Sequence, residues 1–536
     1  MKFPFGRRLP AAPASAGPYA AAPARRRSGG VLLFLTLTLL ALLLGATIGL
    51  SSPVLVTILG GLIFIVLTFL LLNSYQLVLA LLVLTFLVQG SAQYFLSNRQ
   101  APWLVVGMAA IFFVRAMMEL VFARRGAGAK VTAFDDRAVL GSLLVFALVF
   151  GVSTFFNRPS MGQLVVAIKG VWPLFGVLLA LAWMRWAPQQ LERMWSLLVV
   201  FGLLQLPVVF YQHFFISGTR ATTGHDSVVG TFGGNPLGGG NSAILVLFIV
   251  ATMTYALSRW DKGLMSRRMV SLVCAVGLAV ILLGEVKAAF IWLPLSAGLV
   301  LRRRIMRNVA SFIMYLIFGM VLITGIYLTY NALYWGKLIN KQHGAVAKLE
   351  AGGGYVFDPR SINYSTGEVG RGAAVAIWVN DKLSSTPSRL IGYGPGAIKS
   401  GPGLGAGVLF KRFAPLHVDP TALAVLLWDV GLLGTLAYWA IFVFGIRAGW
   451  RYLKAARGSP AEQAIIETST ATLLLFATLI AYNRTLMDDP SSQLLCMLAL
   501  GCVMQCSRFG RAREALAPAQ HGGPAAARPL QRAHGQ

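Results

Sequence analysis

Arg220 stands a few residues ahead of Gly224-His-Asp-Ser-Val-Val-Gly-Thr-Phe-Gly-Gly-Asn-Pro-Leu-Gly-Gly-Gly-Asn241, a glycine-rich stretch between two long apolar runs. Glycines in such number suggest a phosphate cradle. A nucleotide P-loop, however, ends in Gly-Lys-Ser/Thr after a strand, and Gly238, Gly239, Gly240, Asn241 and Ser242 include no lysine. A dinucleotide turn needs a βαβ unit, and none is present. What the glycines offer is free backbone N–H groups ahead of the apolar segment starting at 242, where a helix dipole favours an anion. By themselves they serve equally well as a loop that permits tight turns, and Arg220 tilts the reading towards an anion site.

Other charged groups belong with this one. Lys287, in Gly284-Glu-Val-Lys-Ala-Ala-Phe290, sits at the boundary of an apolar run, where a lysine can snorkel to water. Glu285 is close enough to neutralise it. Lys169 lies inside an apolar run about two turns from its end, and charge inside a membrane is expensive enough to suggest function. Arg115 and Glu119 are one helical turn apart and read as a structural ion pair. His417, in Ala414-Pro-Leu-His-Val-Asp-Pro420, could take a proton from an attacking hydroxyl at neutral pH. His213 and His225 fall on the same side, so residue type alone does not choose the base. Asp226, Asp419, Asp488 and Asp489 have no metal-ligand spacing, and no metal or other cofactor is expected. Cys274, Cys496, Cys502 and Cys506 lie in or beside apolar runs and read as packing residues.

The elements that must position these groups are set by composition. Of 536 residues, 57% are hydrophobic and 12% charged, more apolar surface than a soluble domain could bury. Runs long enough to cross a bilayer recur at 31–50, 52–72, 75–91, 103–122, 138–156, 163–184, 194–215, 242–258, 269–285, 286–301, 309–331, 420–446, 463–483 and 490–506. The expected fold is therefore an all-α polytopic membrane protein with about 14 transmembrane helices (12–14). Domain 31–506 is the helical bundle, flanked by Ala/Pro/Arg/Gly-rich tails at 1–30 and 507–536 that read as disordered. Two loops share one side: 216–241, glycine-rich, and 332–419, far longer than an ordinary connection. Within the longer one, 370–383 reads as an amphipathic helix with Val375, Trp378 and Val379 towards the membrane and Arg371 and Lys382 towards water. Ile391-Gly-Tyr-Gly-Pro-Gly396 reads as a turn.

The net charge of +28 would fit nucleic acid, but its distribution marks topology instead. With the N-terminus in the cytoplasm, the clusters Arg124–Arg125, Arg259–Arg268, Arg302–Arg307 and Arg447–Arg457 all fall inside. Both termini are then cytoplasmic, and both loops are external. ATP is not at hand on that side, so a phosphate presented there to a membrane-embedded protein is most simply a lipid-linked one.

The order of these motifs resembles the O-antigen ligase and polysaccharide polymerase superfamily of bacterial membrane glycosyltransferases. Arg220 followed by Gly230-Thr-Phe-Gly-Gly-Asn-Pro236 is similar to the family's Arg and Gly-Thr-Phe-x-Asn-Pro-Asn stretch. Lys287 stands where an arginine is usual. Arg371, Trp378 and Gly392-Tyr-Gly-Pro-Gly396 match the Arg, Trp, Gly-x-Gly-x-Gly order, and His417 precedes Gly431-Leu-Leu-Gly434 as in the family's terminal pattern. The match covers roughly 200–450. Departures are Val418-Asp419 where asparagine usually follows the histidine, Asn235-Pro-Leu for Asn-Pro-Asn, and lysine at 287. The resemblance implies a GT-C-like architecture in the bacterial inner membrane with one long periplasmic loop. It implies metal-independent, inverting transfer of a glycan from undecaprenyl diphosphate to a hydroxyl. Arg220, Lys287 and Arg371, with Lys169 and the 238–240 glycines, would hold the diphosphate, and His417 would act on the acceptor. Arg220, Arg371 and His417 would be the catalytic set. Expected partners are the lipid-linked glycan, membrane lipids and a chain-length regulator or export proteins, with no nucleic acid.

Within the family, the alternative to polymerising surface or exopolysaccharide repeat units is ligation to a lipid A core sugar or a protein. From another class comes a lipid-linked oligosaccharide flippase, which needs a charged cavity and two related halves. The sequence has no internal repeat, and a flippase has no need of the long loop ending in His417.

Overall fold

The computed structural model describes residues 72–98, 100–125, 137–184, 186–217, 227–234, 241–284, 286–330, 353–401, 405–455 and 458–516. The chain divides into Met1–Leu71, outside those residues, and Leu72–Gln536, to which all that follows refers. The expected spans 31–50 and 52–72 and the two tails are thus left aside, apart from the helical end of the last run.

The described chain is almost wholly helical. In order come α1 (Ser74–Phe95), α2 (Ala101–Arg125), α3 (Arg137–Asn157), α4 (Met161–Val171), α5 (Phe175–Trp183), α6 (Pro188–Tyr211), α7 (Ser242–Asp261), α8 (Arg267–Gly284), α9 (Ala289–Ile305) and α10 (Val309–Tyr330). Among its described residues the loop region carries small strand ladders and short helices. These are β1 (Ile362–Asn363) paired antiparallel with β2 (Glu368–Val369), α11 (Arg371–Asn380), α12 (Thr386–Ile391), β3 (Ser400–Gly401) paired with β4 (Gly405–Ala406), and α13 (Val408–Phe413). Then follow α14 (Ala422–Asp429), α15 (Gly431–Lys454), α16 (Pro460–Tyr482), α17 (Thr485–Asp488) and α18 (Pro490–Leu516).

Among the described residues nine helices are long and apolar enough to cross a membrane, or ten if α4 and α5, bent by 44° at Trp172–Leu174, form one broken span. The protein is a multi-pass membrane protein. Most expected runs appear as helices at nearly their expected positions. The 420–446 run differs: it breaks between α14 and α15 at Val430–Gly431. The break has a physical cause described below.

Burial orders the helices. In α7 89% of the apolar window is enclosed and in α16 78%, against 6% in α10, so α7 and α16 are central among the described helices and α10 is peripheral. Helix starts follow local chemistry: Ser459 accepts from the Glu462 N–H while the Glu462 carboxylate accepts from the Ser459 N–H, and Pro460 opens α16.

The two ends of the bundle differ in chemistry. At one end Glu467 pairs with Lys262 and with Arg302 (3.0 Å), Arg259 pairs with Glu192, and Arg304 pairs with Asp261. At the other end the 353–420 segment packs over α14 and α17 and the ends of α3, α4 and α16. Of the described residues singled out for chemistry, Lys169, Lys287, Arg371 and His417 lie at that loop-bearing end.

Candidate functional site

The glycine-rich stretch enters the bundle. Its Gly-Thr-Phe-Gly part is buried: Phe232 is fully enclosed beside Phe86 and Phe248, and Thr231 donates to the Phe86 carbonyl. Two glutamines, Gln205 in α6 and Gln212 just after it, hold the backbone. Gln212 accepts from the Val229 and Gly230 N–H groups and donates to the Gly230 carbonyl, and Gln205 accepts from the Thr231 N–H (2.9 Å). This part of the motif is thus a packed plug. Arg220, His225, Asp226 and Gly238, Gly239 and Gly240 lie outside the described residues, as does Glu285.

The plug is tied to the far end of the chain. Asn241, the residue after Gly240, donates to Asp489 (3.3 Å), which also accepts from the Ser492 N–H (2.8 Å) at the start of α18. Burial pushes the Asp489 carboxyl up to about 7. Near neutral pH it therefore carries only part of a charge, which softens its repulsion of any anion bound nearby.

The glycine turn of the loop is already occupied, by a carboxyl group of the protein itself. Gly396 and Ala397 donate their N–H groups to the Asp429 carboxylate (2.9 and 3.1 Å). Tyr393 and Gly394 donate to the Trp428 and Asp429 carbonyls (2.8 and 3.2 Å). Gly392 has φ +79° and Gly431 φ +67°, and their backbones touch, so a Cβ on either would overlap main chain. Two motifs that are separate in sequence, Gly392–Gly396 and Gly431–Gly434, are therefore one contact. The α14–α15 break exists to make it.

Arg371 opens α11 and lies with its guanidinium carbon 3.9 Å from the Tyr482 ring centre and 5.3 Å from that of Tyr355. It forms no salt bridge with any described residue. The rest of α11 differs from the expected membrane-facing helix. Ala373 and Ala374 are buried against Val369 and Ala424, and the Trp378 indole N–H donates to the Leu427 carbonyl (3.1 Å). Trp378 thus docks on α14, and Val379 is the exposed residue.

His417 is exposed and is positioned by its backbone: its N–H donates to the Gly367 carbonyl (2.8 Å), and it bridges to Glu368. Glu368 belongs to β2, which leads through Gly370 into Arg371. The same strap therefore orients the candidate base and the candidate diphosphate clamp. His213 lies in the π-turn after α6 and stacks edge-on against Phe214 (4.8 Å).

An ion-pair chain links Lys399, Asp488, Arg484 and Asp419. Lys399 Nζ lies 2.7 Å from Asp488 Oδ1, Asp488 Oδ2 lies 3.1 Å from Arg484 Nε, and Arg484 Nη1 lies 2.7 Å from Asp419 Oδ2. Burial acts against charge on both Lys399 and Asp488, but pairing outweighs it. The lysine pKa lies above its ordinary value and the aspartate pKa below. Asp419 is two residues past His417, and Arg484 is two past Tyr482, the ring under Arg371.

Lys169 closes the cluster on the α4 side. Its Nζ lies 4.5 Å from the Trp103 ring centre, and its neighbour Gly170 abuts the Met487 carbonyl and the Lys399 ammonium. Lys287 is exposed just ahead of α9, whose Trp292 meets the Tyr482 ring (5.6 Å) and donates to Thr478 (2.9 Å). Arg371, His417, Lys169 and Lys287 thus share one end.

Two members of the cluster were not singled out from sequence, Lys399 and Arg484. A signal existed for each. Lys399 lies three residues after the last glycine of the turn, and Arg484 with Asp488 forms an i,i+4 pair in the turn between two apolar runs. Arg115, expected to pair with Glu119, donates to the Leu72 carbonyl (2.6 Å), and the Glu119 side chain lies outside the described residues. The cysteines are free, three buried and Cys274 partly so. No group of three or more His, Cys, Asp or Glu among the described residues could hold a metal ion.

No family model matches the chain, and no curated protein matches it.

Proposed function

We propose that this protein is a glycosyltransferase of the bacterial inner membrane, moving a glycan from undecaprenyl diphosphate to a hydroxyl at the loop-bearing end. That end faces the periplasm in this reading, and the paired basic end faces the cytoplasm, as the positive-inside bias favours. The observation that carries the proposal is the strap from Gly367 to His417, which joins an exposed imidazole to a stacked guanidinium without a carboxylate partner among the described residues.

The division of labour follows from charge. A diphosphate leaving group gains negative charge as the glycosidic bond breaks, so fixed cations stabilise the transition state more than the ground state. Arg371 and Lys287, with Arg220 and Lys169, supply them. Lys399 and Arg484 are already matched by Asp488 and Asp419, and they act by holding the loop in register. His417 takes the acceptor proton, and one direct displacement inverts the anomeric carbon. Polymerisation of surface or exopolysaccharide repeat units is the preferred form, with a chain-length regulator or export proteins as partners.

The test uses purified protein in detergent or liposomes with undecaprenyl-diphosphate-linked repeat units, with and without a separate acceptor. A ladder of products on the lipid carrier is the expected result. Transfer only to the added acceptor would make the protein a ligase, and translocation of intact lipid-linked glycan without bond cleavage would overturn the enzymatic reading in favour of a flippase.

A further inference from the structure

The opposite end of the bundle holds a feature that glycan transfer does not use. The last turns of α9 and α15 enclose a cleft of about 160 Å³ lined by Arg302, Arg303, Trp450, Leu453 and Lys454. Arg302 lies over the Trp450 ring (5.1 Å) and is held from behind by Glu467 (3.0 Å). Arg303 and Lys454 are exposed and have no acidic partner among the described residues. Leu453 is buried and gives the cleft an apolar floor.

Cations in the last turn of a helix complement its dipole, which accounts for part of this charge. It does not account for a cleft, nor for an indole stacked under one of its cations. Cationic rim, apolar floor and a partly exposed tryptophan together suit a phosphate anion attached to something apolar. A stripe of exposed apolar side chains on α15, Leu436, Trp439 and Val443, leads along the helix towards Trp450. Its spacing follows one helix face. Acyl chains would lie along that stripe with the head group in the cleft.

We propose that this cleft binds the phosphate head group of an anionic phospholipid, with Arg303 and Lys454 as its free cations. The inference stands apart from the glycosyltransferase reading. Basic pockets between transmembrane helices recognise anionic head groups by the same charge arithmetic, about 1 kcal/mol per cation near the surface. That corresponds to a factor of about five in affinity for each one removed.

Native mass spectrometry of detergent-purified protein, titrated with phosphatidylglycerol or phosphatidylcholine, tests it. Wild-type protein should retain phosphatidylglycerol in preference to phosphatidylcholine. Arg303→Gln with Lys454→Gln should weaken phosphatidylglycerol retention by about twenty-fold. Arg267→Gln with Arg268→Gln, exposed cations at the start of α8, should leave it unchanged. Inorganic phosphate at equal concentration should not displace the lipid. Equal retention of the two lipids by wild-type protein would overturn the proposal without recourse to any variant. So would an equal loss in both double variants, which would reduce the effect to net charge. Displacement by inorganic phosphate alone would assign the cleft to a soluble anion.

Discussion

Arg371 is the residue on which the diphosphate reading makes its sharpest demand. Its guanidinium is flanked by the Tyr482 and Tyr355 rings, which fix the plane of the fork and leave its N–H groups to meet oxygen. Arg371→Ala should therefore weaken capture of labelled undecaprenyl diphosphate in detergent by about ten- to a hundred-fold, the worth of a charge-assisted hydrogen bond, and lower turnover with it. Arg371→Lys should recover little, because an ammonium supplies a point charge without the fork or the ring stacking. Capture and turnover both unchanged in the alanine variant would demote Arg371 to a structural cation holding α11 against α16. At this scale the sequence was partly legible. Arg371 and His417 stood out because a charged or titratable side chain in an apolar chain is conspicuous. Lys399 and Arg484 did not, because their importance lies in pairing with Asp488 and Asp419. The Lys399–Asp488 pair spans 89 residues, and no local pattern announces such a contact.

The elements at the loop-bearing end are held by two devices, each with its own test. The first is the contact of Gly392 with Gly431. Gly392→Ala should destabilise the protein by more than the ~1–3 kcal/mol that a strained backbone conformation costs, since the added Cβ also overlaps the Asp429 main chain. Gly263→Ala is the comparison: its φ is +72° but the space around it is open, so it bears the strain alone. Equal falls in melting temperature for the two variants would show that the close approach of turn and helix break is unimportant. The second device is Asp381, which accepts from the Ser384 hydroxyl and the Leu383 N–H and pairs with Arg412. Burial alone would raise its pKa, but these hydrogen bonds and the Arg412 charge leave it below the ordinary carboxylate value. A depressed carboxylate stabilises the fold above the unfolded pKa and loses that contribution as pH falls through the folded one. Hydrogen exchange across 380–393 should thus stay slow from neutral pH down to about pH 4 and accelerate, beyond the intrinsic pH dependence, only below it. Arg412→Gln should move the onset upwards, and an onset unchanged by that substitution would remove the ion pair from the account. The turn at 391–396 was legible from its glycines, and the helix at 370–383 from its periodicity. Its docking face was not, because Trp378 fits an indole N–H to a carbonyl on α14 as well as it would fit a membrane surface.

Across the whole molecule the apolar runs were the strongest signal, because a bilayer enforces helices of a given length whatever the tertiary packing. Periodicity could not show which helices lie at the centre. The enclosure of α7 depends on the Gly-Thr-Phe-Gly plug folding back between α1 and α6, and the break at Gly431 depends on the loop that fills it. The chemical asymmetry of the two ends was legible as charge and is visible as geometry: paired cations surround Glu467 at one end, and Arg371 stands without an acid partner among the described residues at the other. The central claim is that glycan transfer from a lipid diphosphate occurs at that second end, with His417 acting on the acceptor. Its most direct measurement is the release of free undecaprenyl diphosphate from the lipid-linked glycan by purified protein, wild type against His417→Ala, with capture of the lipid diphosphate recorded alongside. The account expects release by the wild type, a fall of about 10²–10⁴ in its rate in the variant, and nearly equal capture by both. No release by the wild type, or equal release by the two proteins, would contradict it.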